Sequence, residues 1–326
     1  MTEMKLKTES EQFSEGVCEH LAFEDAQDAI QRLHRYQNQV KGMLLVGEHG
    51  CGKSFFCQDY TRQHAIAPTP ELTPVPVLYV EILNGTKAGG LLSTLLEGLG
   101  DPAPFRGGNA AKGSRLLKLL KGLKVSMIII DEAHEMLPSK ARNESPQILG
   151  TIKWLMNSSR IPLVLCGHIQ ALDILHLNKQ LMSRMQSIIT FNPFNCLNED
   201  SQLDFADYMN AQFEMLPRKV HSNYNCLETN AAGEIQLSEN TNGLLRLCLA
   251  TQGIPRHIND LLIQVIEQTS ADMTVNKQHF ADAWDKVLIS SYGVGNNLPN
   301  PFTTDIQCVK RHLRNLQLYP KTMEMN

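Results

Sequence analysis

Residues 47–54, which read GEHGCGKS, constrain the fold of this chain more than any other stretch. They match the pattern G-x-x-x-x-G-K-[ST] and lie between a short apolar run, GMLLVG, and a segment with helical character, SFFCQDYTRQHA. A glycine-rich loop between a buried strand and a helix turns backbone N–H groups toward phosphate oxygens, and the helix N-terminus adds its dipole. A glycine turn that happens to contain Lys-Ser is the alternative, and the flanking strand and helix argue against it. The sequence therefore predicts a phosphate-binding loop in an α/β domain.

The loop supplies a set of candidate ligands for ATP and Mg²⁺. We expect the ammonium group of Lys53 to reach the β- and γ-phosphates and the hydroxyl of Ser54 to bind Mg²⁺. The predicted nucleotide-binding residues of the loop are Gly47, Glu48, His49, Gly50, Cys51, Gly52, Lys53, Ser54 and Phe55.

A second motif, MIIIDEAH, places two acids at the end of an apolar run. Asp131 is expected at the carboxyl end of a buried strand, where it would hold Mg²⁺ through water, and Glu132 is the natural base for an attacking water. The DEAH tetrapeptide also occurs in nucleic-acid helicases, which need two tandem lobes. Because the α/β pattern ends near Phe194, we expect no translocating helicase, and we interpret His134 as incidental.

Three further residues are candidates for contacts with the γ-phosphate. His168 ends the predicted strand PLVLCGH, at the position of a phosphate sensor. Arg184 precedes the last predicted strand and could reach the nucleotide of a neighbouring subunit as an arginine finger. Arg256, in GIPRH, begins a predicted helix and could touch the same phosphate in cis. The alternative interpretation is that His168 is a structural histidine and that Arg184 and Arg256 are ordinary surface arginines.

Five apolar runs predict a parallel five-stranded sheet flanked by helices, and helical patterns follow Phe194. The predicted fold class is an α/β P-loop NTPase domain followed by a small all-α lid. The predicted domains are an N-terminal helical segment (1–40), an ATPase domain (41–195), a helical lid domain (196–289) and an extended C-terminal tail (290–326).

Charge is distributed unevenly along the 326 residues, whose net charge is −4. Residues 1–28 carry eight acids, whereas residues 102–125 carry six basic residues and no acid. Lys112, Arg115 and Lys118 step by three along one predicted helix, and the loop NGTKAGG offers Thr86 and Lys87. A basic stripe is usually a solvated face, so any phosphate-binding surface should be local.

Composition places the chain among ordinary globular proteins, with 42% hydrophobic and 20% charged residues. No apolar run approaches the roughly 18 residues of a membrane span, so we expect a cytoplasmic protein without membrane contact. The eight cysteines form no C-x-x-C pair and are interpreted as reduced, mostly buried thiols.

The order of the motifs GEHGCGKS, IIIDEAH, PLVLCG, QLMSRM and GIPRHINDLL resembles that of the AAA+ ATPases of bacterial DNA transposition, the TnsC/TniB family. Each motif alone identifies only an AAA+ ATPase. Their combination narrows the resemblance to the TnsC/TniB family and its secretion-associated and initiator relatives. The resemblance spans residues 22–288. The compact lid is similar to that of members associated with CRISPR transposons.

The resemblance implies that ATP-loaded subunits assemble as a ring or filament on double-stranded DNA and link a targeting module to the transposase. It implies contact with the DNA backbone, largely independent of sequence, by Thr86, Lys87, Arg106, Lys112, Arg115 and Lys118. From their placement alone, we expect the acidic N-terminus and the tail segment NLPNPF to dock transposition partners. His168 departs from the commoner sensor residues of the family.

Other uses of the same ATPase remain open at this stage. A secretion-system ATPase normally carries a membrane span, and a replication initiator or helicase loader normally adds a helix-turn-helix or winged-helix module. The chain could also be a nucleotide-gated scaffold with negligible turnover. In that case the wild type and Glu132→Gln would release phosphate at the same rate.

Overall fold

The computed structural model of the protein describes residues 8–14, 16, 21–36, 38–70, 73–137, 145–292 and 298–320. The chain divides into two compact units, an α/β unit formed by residues 22–192 and a helical unit formed by residues up to 21 together with residues 193–326. The helical unit therefore takes chain from both ends, and its first element is the short helix α1 (Glu9–Ser14).

The α/β unit is built on a five-stranded parallel sheet in the order β2-β3-β4-β1-β5. Its strands are β1 (Gly42–Gly47), β2 (Val77–Glu81), β3 (Met127–Asp131), β4 (Leu163–His168) and β5 (Met185–Phe191). Its helices are α2 (Leu21–His34), α3 (Lys53–Gln63), α4 (Ala88–Gly98), α5 (Asn109–Gly122), α6 (Ser145–Ser159), α7 (Asp173–Leu177) and α8 (Lys179–Met182). This confirms the predicted sheet and its flanking helices.

Two apolar layers enclose the sheet, which explains why its central strands are apolar at every position. Leu44 and Ile130 point to the layer shared with α4, α5 and α6, whereas Leu45 and Ile129 point to the layer shared with α2 and α3. Alternate residues of a strand face opposite sides, so a strand covered on both faces reads as a continuous apolar run. All residues of β1 and β3 are buried accordingly.

The helical unit packs its helices around one apolar core. After α1 its elements are α9 (Glu199–Met215), β6 (Lys219–Val220), β7 (Leu227–Thr229), β8 (Ile235–Leu237), α10 (Asn242–Thr251), α11 (Pro255–Gln268), β9 (Thr274–Val275), α12 (Lys277–Tyr292) and α13 (Ile306–Asn315). The phenyl ring of Phe13 is buried in this core, and the carboxylate of Glu9 accepts a 2.7 Å hydrogen bond from the buried Arg218. The N-terminal residues that the structure describes are thus part of the helical unit.

Two of the predicted boundaries differ from those of the structure. The units divide between residues 192 and 193 rather than after 195, and the predicted segment 1–40 is shared between them. The predicted all-α lid also holds two small two-stranded sheets, β6-β9 and β7-β8. The β7-β8 hairpin turns at Asn230, whose side chain accepts hydrogen bonds from the backbone N–H groups of Ala232 and Glu234. Such short polar strands carry too little apolar alternation to be recognised in a sequence.

The predicted extended tail is also corrected, because α12 continues to Tyr292 and residues 306–315 form α13. Asp305 caps α13 by accepting the N–H of Gln307, and Val309 and Leu313 lie one turn apart in the core. Phe302 of the NLPNPF segment is fully buried and stacks on Phe280 with ring centroids 5.4 Å apart. Residues 293–297 and 321–326 lie outside the described residues.

No helix within the described ranges is long and apolar enough to cross a membrane. The seven cysteines in the described part of the chain are free thiols, and all but Cys308 are buried, as predicted. Cys18 lies outside the described residues.

Candidate nucleotide site and basic edge

The predicted phosphate-binding loop connects the end of β1 to the start of α3. Gly52 has a φ of +91°, a left-handed conformation that favours glycine, and it directly precedes the first helical residue, Lys53. A Cβ atom on Gly47 would lie 2.1 Å from the carbonyl oxygen of Phe191 on the neighbouring strand β5. The two glycines are therefore needed for different reasons, one for backbone conformation and one for close packing.

Lys53 is buried at the first position of α3, with 8% of its surface exposed. Its ammonium group donates hydrogen bonds to the carbonyl oxygens of Gly47, at 3.0 Å, and of Glu48, at 2.7 Å. The ammonium group therefore lies across the loop. Ser54 and Phe55 follow half-buried on the first turn of α3.

Asp131 ends β3 with only 2% of its surface exposed. Each of its carboxylate oxygens accepts a 2.8 Å hydrogen bond, Oδ2 from the hydroxyl of Tyr79 on β2 and Oδ1 from the backbone N–H of Glu132. Burial raises the pKa of Tyr79; a hydrogen bond from Gln58 opposes this shift, and the nearby Asp131 adds to it. The Tyr79 hydroxyl therefore keeps its proton and remains a donor. The carboxylate thus has a fixed orientation and free lone pairs for a Mg²⁺-bound water.

Glu132 leaves the strand in a left-handed conformation, with φ +53° and ψ +36°. One oxygen of its carboxylate, Oε2, lies 3.1 Å from Nδ1 of His134. No local pattern in the sequence pairs these two residues, which is why His134 reads as incidental from the sequence alone. The contact places a histidine directly on the candidate base.

His168 lies at the carboxyl end of β4, in register with Gly47 at the end of β1. Its Nε2 lies 3.1 Å from Oε2 of Glu48, and its ring stacks on His49 with centroids 4.9 Å apart. Burial, with a smaller effect of His168, lowers the pKa of His49. The predicted sensor residue is therefore next to the phosphate-binding loop, and its role as a sensor stays a prediction.

Arg184 lies between α8 and β5, where its carbonyl oxygen accepts the N–H of Gly42. Its Nη1 is buried and has no hydrogen-bond partner among the residues that the structure describes. A buried guanidinium nitrogen without an acceptor carries a desolvation cost, which an additional acceptor would remove. The predicted role in trans stays a prediction.

Arg256 lies in the helical unit, one residue after Pro255 at the start of α11, and its side chain is exposed. Pro255 at the first helical position agrees with the predicted helix start. The predicted role of Arg256 in cis is untested.

The residues predicted to face DNA do not form one continuous stripe. Lys112 is buried, and its ammonium group donates to the carbonyl oxygen of Gly89 and to Oγ of Ser93, at 3.3 and 2.7 Å. Lys112 therefore joins α5 to α4, which corrects its assignment to an exposed basic face. The helical spacing could not reveal this, because the partners lie on another helix.

Arg115 is half-buried and stabilises the loop before α5. Its guanidinium group bonds Asp101 at 2.9 Å and also donates to the carbonyl oxygens of Ala103 and Arg106. Arg115 is therefore a structural residue of the loop as well as a predicted DNA contact.

The remaining basic residues are exposed: Lys87 and Arg106 just before the N-termini of α4 and α5, and Lys118 further along α5. We call these three residues the basic edge. The N-termini of α4 and α5 lie side by side, since a Cβ on Gly89 would approach Oδ1 of Asn109 to 2.7 Å. Thr86 lies beside them and donates its hydroxyl to the carbonyl oxygen of Leu83. Helix N-termini and exposed cations together favour phosphate groups.

Sequence reasoning missed two apolar side chains near this edge. Leu83 and Phe105 are exposed to 75% and 71% in the loops that precede α4 and α5. Phe105 is an apolar residue within a polar, glycine-rich loop, whereas Leu83 reads in the sequence as the end of the apolar run VLYVEIL.

The sheet order places β4 between β3 and β1, so the strand with His168 lies between the strands that end at Asp131 and at the phosphate-binding loop. This arrangement, together with the two motifs and the helical unit that follows, defines an AAA+ P-loop ATPase. The particular family follows from the sequence, because the model of the family described as "Bacterial TniB protein" matches residues 13–192. The chain belongs to the TniB family.

No curated protein matches the chain. Among solved structures, it is similar to Cdc6p of Pyrobaculum aerophilum, with 15% identity, 95% of this chain and 85% of that chain covered, and a TM-score of 0.54. It is also similar to the ORC2 protein of Aeropyrum pernix in its ADPNP–ADP complexes, with 16% identity and a TM-score of 0.53. That match covers 81% of this chain and 66% of the ORC2 chain.

The ORC1 protein of Aeropyrum pernix in complex with DNA matches with 18% identity, 80% of this chain and 64% of that chain covered, and a TM-score of 0.51. The match thus spans slightly under two thirds of the chain in each of these two Aeropyrum structures. At these identities the likeness concerns the fold.

Proposed function

We propose that this protein is an ATP-dependent regulator of DNA transposition, which assembles on double-stranded DNA and links target selection to the transposase. The observation that carries the proposal is the TniB family match, which covers the whole α/β unit with both nucleotide motifs. The CRISPR-associated subtype implied by the sequence resemblance is not part of the proposal.

The nucleotide site supports ATP binding and hydrolysis. Lys53 and the loop amides would hold the phosphates, while Ser54 and Asp131 offer the oxygen ligands that Mg²⁺ prefers. When bound, Mg²⁺ would neutralise charge on the transferring phosphoryl group. Glu132 would orient and polarise the attacking water, because it is the carboxylate next to Asp131 at the end of β3.

The basic edge supports contact with DNA. Lys87 and Arg106 are exposed just before α4 and α5, Lys118 is exposed on α5, and residues 102–125 carry six basic residues and no acid. Phosphate contacts of this kind give affinity without reading the base sequence. The contact would therefore be sequence-independent, with base choice left to a targeting partner.

Assembly into a ring or filament would join each nucleotide to a neighbouring subunit through Arg184. The Nη1 of Arg184 has no hydrogen-bond partner among the described residues, which is consistent with an acceptor supplied by assembly. Binding of ATP would connect subunits, and hydrolysis would loosen them.

The experiment is electron microscopy and nuclease protection of duplex DNA with the purified protein and ATP or ADP. We expect ATP-dependent rings or filaments that protect DNA, their loss in Lys53→Ala and Arg184→Ala, and their longer lifetime in Glu132→Gln. Lys277→Ala, which removes an exposed lysine of the helical unit, is the matched control. Absence of ATP-dependent assemblies on DNA would overturn the proposal.

A second candidate is a replication initiator or helicase loader, which the likeness to the DNA-bound ORC1 protein favours. Integration assays with the transposase of the same element separate the two. Loss of integration in Lys53→Ala supports the transposition role, whereas unchanged integration with impaired replication of the host replicon supports the alternative.

A further inference from the structure

His134 occupies a position between the candidate base and the end of the sensor strand. Its side chain is 14% exposed, and its Nδ1 lies 3.1 Å from Oε2 of Glu132. The same nitrogen lies 3.2 Å from the backbone nitrogen of His168, which points its N–H at the ring. The other nitrogen, Nε2, lies 3.6 Å from Oε1 of Glu135. The ring centroids of His134 and His49 are 6.2 Å apart.

These two contacts make opposite demands on Nδ1. A ring nitrogen of histidine carries either a proton or a lone pair. With a lone pair, Nδ1 accepts the N–H of His168 but repels the carboxylate of Glu132. With a proton, Nδ1 donates to Glu132 but faces the N–H of His168. Only one of the two hydrogen bonds exists at a time.

The packing around His134 leaves little room for the ring to avoid this choice. A Cβ atom on Gly167 would lie 3.1 Å from Nδ1 of His134 and from the backbone nitrogens of Ala133 and His134. The end of β4 therefore packs directly on the turn that follows Glu132. A displacement of the end of β4 relative to this turn would change the distance from Nδ1 to the N–H of His168.

We propose that His134 is a positioning residue that restrains Glu132 until the end of β4 moves toward the γ-phosphate. In the restrained setting the neutral ring carries its proton on Nδ1 and bonds Glu132. In the released setting Nδ1 accepts the N–H of His168, and the ring carries its proton on Nε2, toward Glu135, after exchange with solvent water. The inference rests on the proposed ATP hydrolysis and adds a means of regulating it.

The restraint acts through the hydrogen-bonding capacity of the carboxylate. An oxygen of Glu132 that is bonded to an imidazole N–H is less able to accept the hydrogen of an attacking water. A subunit whose β4 has not responded to the γ-phosphate would therefore hydrolyse slowly. His134 would tie hydrolysis to the state of His168, which is stacked on His49 of the phosphate-binding loop.

The experiment compares two substitutions in steady-state ATP hydrolysis by the full chain. In His134→Gln the amide lies further from the backbone than Nδ1 does, so Glu132 is released. We expect kcat without DNA to rise about threefold to tenfold, as for the loss of one hydrogen bond, while KM for ATP stays unchanged. In His134→Asn the amide lies near the position of Nδ1 and can donate to Glu132 while accepting from His168, so kcat should stay near the wild-type value.

Matched controls separate this role from a structural one. His176→Gln makes the same change at an exposed histidine of α7 and should leave kcat unaltered. Glu132→Gln combined with His134→Gln should be as inactive as Glu132→Gln alone. An unchanged or lower kcat in His134→Gln with normal KM overturns the inference and leaves the proposed function standing, as does an equal rise in His134→Asn. A wild type without Glu132-dependent hydrolysis overturns the proposed hydrolysis as well.

Discussion

At the scale of single residues, the arrangement around Asp131 shows how one carboxylate is oriented before any ligand binds. Tyr79 on the adjacent strand holds one oxygen, and the backbone after Asp131 holds the other. The Tyr79 hydroxyl is itself bonded by Gln58 of α3, at 3.3 Å. The chain Gln58–Tyr79–Asp131 therefore connects the helix after the phosphate-binding loop to the candidate magnesium ligand.

Tyr79→Phe removes one of these bonds without changing the shape of the ring. We expect the half-saturating Mg²⁺ concentration for ATP hydrolysis to rise about threefold to tenfold, because Asp131 loses a hydrogen bond worth about 0.5–1.5 kcal/mol. Titration of activity with Mg²⁺ at saturating ATP measures the shift. Tyr36→Phe, at an exposed tyrosine of the same unit, is the control. An unchanged titration curve for Tyr79→Phe would show that Tyr79 does not orient Asp131.

Lys112 and Lys118 lie six residues apart on α5 and should behave differently. Lys112→Ala removes the bonds to Gly89 and Ser93, so we expect a loss of about 1–3 kcal/mol in the free energy of unfolding and an unchanged salt dependence of DNA binding. Lys118→Ala should leave stability unchanged, weaken binding to all duplex sequences alike and lower the slope of log affinity against log salt by about one. Urea unfolding and salt titrations of fluorescent duplexes test both, and equal effects of the two substitutions would contradict the assignment.

At the scale of elements, the helices and strands that carry the motifs were predictable from sequence, because the signals are local. The loop that ends at Ser54 and the strand that ends at Asp131 each lie within a short continuous segment. Contacts that depend on distant segments were not predictable. The burial of Lys112 depends on α4, and the contact of His134 depends on β4, which is 34 residues further along the chain. Helical spacing describes one face of one helix and says nothing about what packs on it.

The NLPNPF segment illustrates the same limit, because its role depends on the core of the helical unit. Arg246 of α10 donates to the carbonyl oxygens of Pro301 and Thr304, and Asn300 donates to Ala281 of α12. The polar, turn-forming residues of this segment resemble those of a solvated tail. Their side chains and carbonyl groups nevertheless tie the segment to two helices.

Phe302→Ala tests the structural role of this segment. We expect a loss of about 3–5 kcal/mol in the free energy of unfolding, because a fully buried aromatic ring is replaced by a cavity. Urea titration followed by circular dichroism measures it, with the exposed Thr303→Ala as the control. A variant with wild-type stability and lost transposase binding would instead support the docking role that was predicted from the sequence.

At the scale of the whole molecule, each unit contains a histidine that affects the response to acid, half-buried His34 in one unit and buried His257 in the other. His34 of the α/β unit bonds Tyr60 and Ser126, each at 2.7 Å, and its pKa is lowered by burial and then by His64. His257 of the helical unit bonds the carbonyl oxygen of Thr251 at 3.0 Å, and burial is the main cause that lowers its pKa. Both units therefore favour the neutral imidazole.

The pKa shifts predict loss of stability in mild acid. Because the folded pKa of each histidine lies below its unfolded value of 6.5, the unfolded chain binds protons first as the pH falls. The stability that the two neutral histidines contribute is fully present above pH 6.5, and it is lost as the pH falls from there toward the folded pKa. Calorimetry from about pH 8 to about pH 5 should show falling unfolding temperatures, with a smaller fall in His257→Gln. A constant unfolding temperature across this range would contradict the prediction.

The bond between Glu9 and Arg218 joins two residues that are 209 positions apart, and the whole α/β unit lies between them in the chain. During synthesis on the ribosome, α1 emerges first and must wait for its partner until the nucleotide-binding domain has been translated. Domains generally fold as units while they emerge, whereas contacts between distant segments form slowly. The α/β unit can therefore complete its fold, and meet cellular ATP, before the helical unit exists.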